Sequence, residues 1–187
     1  MELNNYIKIY DNVIPIDTLS NLIRFANDLH FEDASVDVGK IDKKIRSTNV
    51  KNLSNLSNSM TEVHWYNFLF YIFKNNLLLY EKKFNKGKGS ISSKILSIDL
   101  LKYNKSDHYK WHWDHFAAIP RTLSCILLLN NDYEGGDLCF KDPEGLQETL
   151  IEKKPGRLII WPSNFLYIHC VKPVTKGTRY SIVSWTL

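Results

Sequence analysis

Two histidines and an aspartate carry the chemistry that this sequence can do. His112 and Asp114 stand one residue apart in Tyr109-Lys110-Trp111-His112-Trp113-Asp114-His115. On an extended strand, residues i and i+2 point to the same face, so an imidazole and a carboxylate would line one surface together. A nitrogen ligand beside an anionic oxygen ligand is two thirds of the 2-His-1-carboxylate set that holds non-haem Fe(II). A candidate for the missing histidine lies far downstream: His169, in Tyr167-Ile168-His169-Cys170-Val171-Lys172-Pro173. The neighbouring histidines fit less well. His115 falls on the strand face opposite His112, and His108 belongs to the preceding turn. Both are expected at the surface or in a substrate cleft.

The last strand holds a second feature. Arg179, Ser181 and Val183 share one face, while Tyr180, Ile182 and Ser184 share the other. A cation in an otherwise apolar strand is costly unless paired, and a guanidinium pairs with a carboxylate through a two-point fork. Arg179 with Ser181 beside it would grip the distal carboxylate of a dicarboxylic acid, and Tyr103 could add a hydrogen bond. Trp111 and Trp113 are candidates for stacking on a substrate, or equally for packing within a sheet.

The elements that must position these residues follow from periodicity. An opening strand is expected over 6–9. Leu19, Leu22, Ile23, Ala26 and Leu29 form one helical stripe, with Asp17 as N-cap. Residues 31–58 are polar, basic and without period, which suggests a lid or a solvated loop. Ser59 and Glu62 fit a capping box before an aromatic-rich helix through Val63, Tyr66, Phe70, Phe73, Leu77 and Tyr80, with Gly87 and Gly89 turning the chain after it. From Lys94 the period changes to two. Strands are predicted over 95–103, 109–114, 121–129, 137–141, 146–152, 157–161, 167–171 and 178–186. Helices first and many short strands after them argue for a sandwich or jelly roll in a single domain over 1–187.

Composition narrows the function. A formal charge of +4 is too mild to make nucleic acid the expected partner, and it suits an anionic co-substrate. The three cysteines, Cys125, Cys139 and Cys170, lack C-x-x-C spacing and read as small buried hydrophobes in a reducing compartment. Neither a signal peptide nor a membrane span is legible, so a cytoplasmic location is expected.

Taken in order, His112-Trp113-Asp114, His169 and Arg179-Tyr180-Ser181 resemble the Fe(II)- and 2-oxoglutarate-dependent dioxygenases, and within them the prolyl 4-hydroxylase branch. Gly135-Gly136-Asp137-Leu138, Lys154-Pro155-Gly156-Arg157-Leu158, His169-Cys170-Val171-Lys172-Pro173-Val174 and Trp185 add to the likeness. H-x-D alone is weak evidence; with a distal histidine and a following arginine in order it is strong. The resemblance implies an α+β fold, a double-stranded β-helix (jelly roll) with N-terminal helices packed on its major sheet. It implies iron held by His112, Asp114 and His169, and the C5 carboxylate of 2-oxoglutarate held by Arg179 with Tyr103 and Ser181 assisting. O2 and 2-oxoglutarate would be co-substrates, ascorbate an accessory reductant, and a prolyl or other side chain in a protein or peptide the target. One departure stands out. Where some relatives place a tyrosine that contacts the co-substrate, this chain has Ile126-Leu127-Leu128-Leu129. Two alternatives remain: the same chemistry on a free amino acid, small metabolite or alkylated nucleobase, and a cupin-like binding module without activity.

Overall fold

A computed structural model describes residues 3–36, 40–55, 57–85 and 94–187. In chain order its elements are β1 (Lys8–Tyr10), α1 (Ile16–Asn27), β2 (Glu32–Asp33), β3 (Arg46–Ser47), β4 (Asn49–Asn52), α2 (Met60–Asn85), β5 (Ile95–Tyr103), β6 (His108–His112) and β7 (Leu123–Leu128). They continue as β8 (Glu134–Gly135), β9 (Leu138–Lys141), β10 (Glu148–Leu150), β11 (Arg157–Pro162), β12 (His169–Val171), β13 (Val174–Lys176) and β14 (Arg179–Thr186). A seven-stranded sheet runs β1-β11-β7-β14-β5-β4-β2, a five-stranded sheet runs β10-β9-β12-β6-β3, and β13 pairs with β8.

The alternation of side chains divides the core in two. Ile98 and Leu100 of β5, Cys125 and Leu127 of β7, Leu158 and Ile160 of β11, and Tyr180 and Ile182 of β14 face α1 and α2. The intervening residues Leu101, Tyr103, Ile126, Leu128, Ile159, Trp161 and Val183 face the five-stranded sheet, where Leu138, Phe140 and Val171 meet them. The large sheet is thus covered on both faces, which is why β7 is buried at all six positions. The chain is mostly β with two helices laid on one face of the larger sheet.

Several elements differ from their sequence-based expectation. The opening segment is a short 3-10 helix over Leu3–Tyr6 followed by β1. Helix α1 begins after Pro15, which occupies the N-cap position and offers no side-chain acceptor, and Asp17 lies inside the first turn instead of capping it, where its charge still favours the helix N-terminus. The capping box is present: the Ser59 amide donates to Glu62 Oε2 at 2.6 Å, and the Glu62 amide to Ser59 Oγ at 3.3 Å. The buried stripe of α2 is Leu69, Phe73, Leu77 and Tyr80, while Val63 is exposed. The described residues of 31–58 are not wholly irregular. They supply β2, β3 and β4, which join both sheets through β5 and β6. Their polar side chains conceal the strands because β2 and β3 are edge strands, β4 lies one strand in from the edge, and none of their residues is buried. The short β8 and β13 carry no alternation of their own, and periodicity does not predict them. Gly87 and Gly89 lie outside the described residues. Among the described residues no helix is long and apolar enough to cross a membrane. All three cysteines are free and buried.

Candidate metal centre

β6 and β12 are antiparallel neighbours, and their register sets His112 opposite His169. Cross-strand partners have closely spaced side chains, so two residues remote in sequence meet with ring centroids 4.2 Å apart. Asp114 arrives differently from the expectation of one continuous strand over 109–114. β6 ends at His112, and the chain bends at Asp114. The bend is anchored by Ser163, whose carbonyl accepts from the amides of Asp114 at 3.2 Å and His115 at 3.0 Å. The outcome is the one the spacing suggests, although a loop produces it. Asp114 Oδ1 lies 3.8 Å from His112 Nε2, and Oδ2 lies 3.5 Å from His169 Nε2. One ligand atom from each residue falls within 4.8 Å of the others, close enough for a single ion.

Each ligand is oriented by a partner that the sequence does not reveal. His112 Nδ1 is 2.7 Å from the Lys110 carbonyl, and His169 Nδ1 is 3.0 Å from the Tyr167 carbonyl. A carbonyl only accepts, so Nδ1 carries the proton in both rings and both Nε2 lone pairs face Asp114. Tyr109 stacks on His112 at 3.5 Å and fixes the ring plane. Ser124 Oγ donates to Asp114 Oδ2 at 2.6 Å, and Ser163 Oγ lies 2.8 Å from Ser124 Oγ. Burial, reinforced by His169, pushes the His112 imidazole down to about 3, which favours the neutral form that binds metal. Burial pushes the Asp114 carboxyl upward, yet His169, His112 and the Ser124 hydroxyl outweigh it and hold the group below the ordinary carboxylate value. His115 and His108 stand apart from this cluster, bonded to the carbonyls of Arg121 and Ser106.

Arg179 is fully buried, and its register partner on β5 is Tyr103. Its Nη1 donates to Ser181 Oγ at 2.8 Å, while Nε and Nη2 find no acceptor in the protein. A buried guanidinium with two unmatched donors is costly, and an incoming carboxylate relieves that cost. The residues present therefore suit both an Fe(II) ion and a carboxylate co-substrate. Tyr103 meets Arg179 through its ring face, 4.9 Å from the guanidinium carbon, and lines the same cavity as His112, Asp114 and His169. Tyr133 is a neighbour that the sequence reading misses: a Cβ at Gly136 would meet Tyr133 Cε2 at 3.1 Å and Arg179 Cδ at 3.2 Å, and the Arg179 charge partly offsets the rise that burial imposes on the Tyr133 phenol. Its setting just before Gly135-Gly136 is the signal that could have found it. Trp113 is half exposed, and Trp111 lies under Lys141 and Lys172.

Comparison with known proteins agrees with this geometry. Residues 98–187 match the 2OG-Fe(II) oxygenase superfamily. A PKHD-type hydroxylase of Synechococcus sp. (strain CC9902) is 38% identical over 96 residues, which span 49% of this chain and 41% of that protein. A PKHD-type hydroxylase of Idiomarina loihiensis is 24% identical over 178 residues, 93% of this chain and 74% of that protein. The chain thus spans less than half of the first of these relatives. Among solved structures, a Trichoplax adhaerens prolyl hydroxylase in complex with a hypoxia inducible factor peptide fragment superposes with TM-score 0.80 at 18% identity, covering 100% of this chain and 86% of that one. A Pseudomonas putida prolyl-4-hydroxylase superposes with TM-score 0.73 at 18% identity, covering 97% and 92%. At such identity the likeness concerns the fold.

Proposed function

We propose that the chain is a member of the 2OG-Fe(II) oxygenase superfamily, which its residues 98–187 match, on the prolyl 4-hydroxylase-like branch, and that it is an Fe(II)- and 2-oxoglutarate-dependent dioxygenase that hydroxylates a prolyl or other side chain in a protein or peptide. The observation that carries this reading is the convergence of two histidine Nε2 atoms and one carboxylate within 4.8 Å. The fold is read as a double-stranded β-helix forming a single domain over 1–187.

Iron with 2-oxoglutarate and O2 would supply oxidative decarboxylation of the keto acid coupled to insertion of one oxygen atom into an unactivated C–H bond. The chain's own share is positioning. His112 and His169 offer Nε2 because backbone carbonyls hold their Nδ1 protons. Asp114 offers its carboxylate in an orientation held by Ser124. Arg179 receives the C5 carboxylate of the co-substrate through the donors that Ser181 leaves unused. The Tyr103 ring backs the guanidinium, and Ile126 and Leu128, on the sheet face turned toward the metal site, keep that end of the cavity apolar. Trp161, packed 5.0 Å from His169, shields the histidine from solvent.

The test is direct. Purified protein with Fe(II) and 2-oxoglutarate should form succinate slowly without added substrate. Mn(II) plus N-oxalylglycine, an unreactive analogue of the co-substrate, should raise the melting temperature. Absence of both effects would remove the oxygenase reading.

A further inference from the structure

Beyond the metal-binding end, the cavity opens into a cleft of about 450 Å³ that shares Arg46, Tyr109, Asp114 and Trp185 with it. Besides Asp114, three charged side chains reach this cleft from three parts of the fold: Asp99 on β5, Arg46 on β3 and Arg121 just before β7. Each keeps one buried polar atom without a protein partner. Asp99 Oδ2 accepts from the Ser97 hydroxyl at 3.2 Å, and Oδ1 is unmatched. Arg46 lies 4.8 Å from the Tyr109 ring and donates Nη1 to the Ser35 carbonyl, leaving Nε unmatched. Arg121 lies 4.0 Å from the Trp185 ring and donates Nη1 to the Asp114 carbonyl at 3.3 Å, and again Nε is unmatched. Among the described residues no ion pair within 4.0 Å joins Asp99 to either arginine.

Buried polar atoms find partners, and a ligand that fills the cleft can supply them here in place of solvent. Stacking holds both guanidinium planes in place, so their Nε donors have fixed directions suited to carbonyl oxygens. The carboxylate asks for the opposite charge. Its surroundings are partly apolar, with Phe116, Ile119, Val36 and Val50 on the cleft wall. Such a wall accommodates an aliphatic stem with a charged tip. A peptide segment bearing a basic side chain supplies both kinds of partner at once.

We propose that Asp99 is a specificity-determining residue that selects a peptide carrying a lysine or arginine next to the residue to be hydroxylated, with Arg46 and Arg121 receiving backbone carbonyls of the same segment. This rests on the hydroxylase reading above. Burial pushes the Asp99 carboxyl up to about 6, with the Ser97 hydroxyl and then Arg46 and Arg121 only partly opposing it, in keeping with a carboxylate that lacks a close cation until the cleft is filled.

The test uses capped hexapeptide pools, randomised over uncharged residues, each with one fixed Lys, Glu or Ala. Two readouts are taken: peptide-stimulated succinate release with a gain of one oxygen by mass, and the thermal shift that each pool adds to Mn(II)/N-oxalylglycine-loaded protein. The Lys pool should exceed the Glu pool at least tenfold in the first readout and give the larger shift in the second. Asp99→Asn should bring the two pools to within about twofold. The unmodified protein's preference is read without any variant, so an unstable Asp99→Asn leaves the test standing. Equal response to Lys and Glu pools, or a preference that survives in Asp99→Asn, overturns the inference and leaves the hydroxylase reading intact. Free lysine stimulating as strongly as the Lys pool overturns the peptide part of it. Absence of succinate under every condition, including without peptide, strikes the hydroxylase reading itself.

Discussion

Ser124→Ala removes a single hydroxyl and should loosen the metal centre. Ser124 Oγ donates to Asp114 Oδ2 at 2.6 Å, and both residues are buried, at 1% and 6% exposure. A hydrogen bond to a buried charged group contributes about 1.5–3 kcal/mol, and its loss leaves the carboxylate oxygen unsatisfied. Part of that cost falls on the metal-free protein. For a chain of this size each kcal/mol corresponds to roughly 2–4 °C, so the melting temperature of the metal-free protein should fall, by no more than roughly 12 °C. The remainder falls on metal binding, because Asp114 must be reoriented when the ion arrives; losing such an outer partner weakens metal affinity by roughly 10–100-fold. Titration of Mn(II) followed by calorimetry measures the affinity. Ser124→Thr, which keeps a hydroxyl, should restore most of it. Ser163→Ala, one link further out, should do less, since the Ser163 hydroxyl reaches the Asp114 carboxylate only through Ser124 and its backbone carbonyl is kept. A folded Ser124→Ala protein that binds Mn(II) within twofold of the parent would refute the positioning role.

Arg179→Ala should leave Mn(II) binding largely in place and raise the concentration of 2-oxoglutarate needed for half-maximal succinate formation by roughly thirtyfold or more, since truncating one partner of a buried charge pair costs about 2–5 kcal/mol; an unchanged requirement would take Arg179 out of its role. Gly136→Ala should weaken co-substrate binding and lower stability together by about 1–3 kcal/mol. Its φ is +63°, and an added Cβ would lie 2.9 Å from Val174 Cγ2 and 3.2 Å from Arg179 Cδ; equal melting temperatures for parent and variant would contradict this. Glu62 tests the capping box by pH. Its hydrogen bond to Lys51, helped by Ser59, overcomes burial and holds the carboxyl at about 2, below its ordinary value. The group binds protons more weakly folded than unfolded, so its stabilisation is present above about 4.5 and is lost as pH falls toward 2. Glu62→Gln keeps the cap geometry and removes the charge. The gap in melting temperature between parent and variant should therefore shrink over that acid range, and a constant gap would show that the ion pair contributes nothing.

Local pattern alone determines much of this protein. The one-residue spacing of His112 and Asp114, the parity that puts Arg179 with Ser181, the Ser59–Glu62 cap and the alternation of β5, β7, β11 and β14 are all properties of neighbouring residues, and neighbours are what a sequence records directly. Other features depend on pairings across the sheets. His169 meets His112 through the register of β12 against β6, and Ser124 and Ser163 reach Asp114 only because β7 and β11 are adjacent. The strands of 31–58 stay hidden in the sequence because short strands at or next to a sheet edge, with no buried residue, need no hydrophobic period. The unmatched atoms of Asp99, Arg46 and Arg121 leave no trace in the sequence at all: whether a buried charge has a partner is a question of distance between chain segments, and only the packed fold fixes that distance.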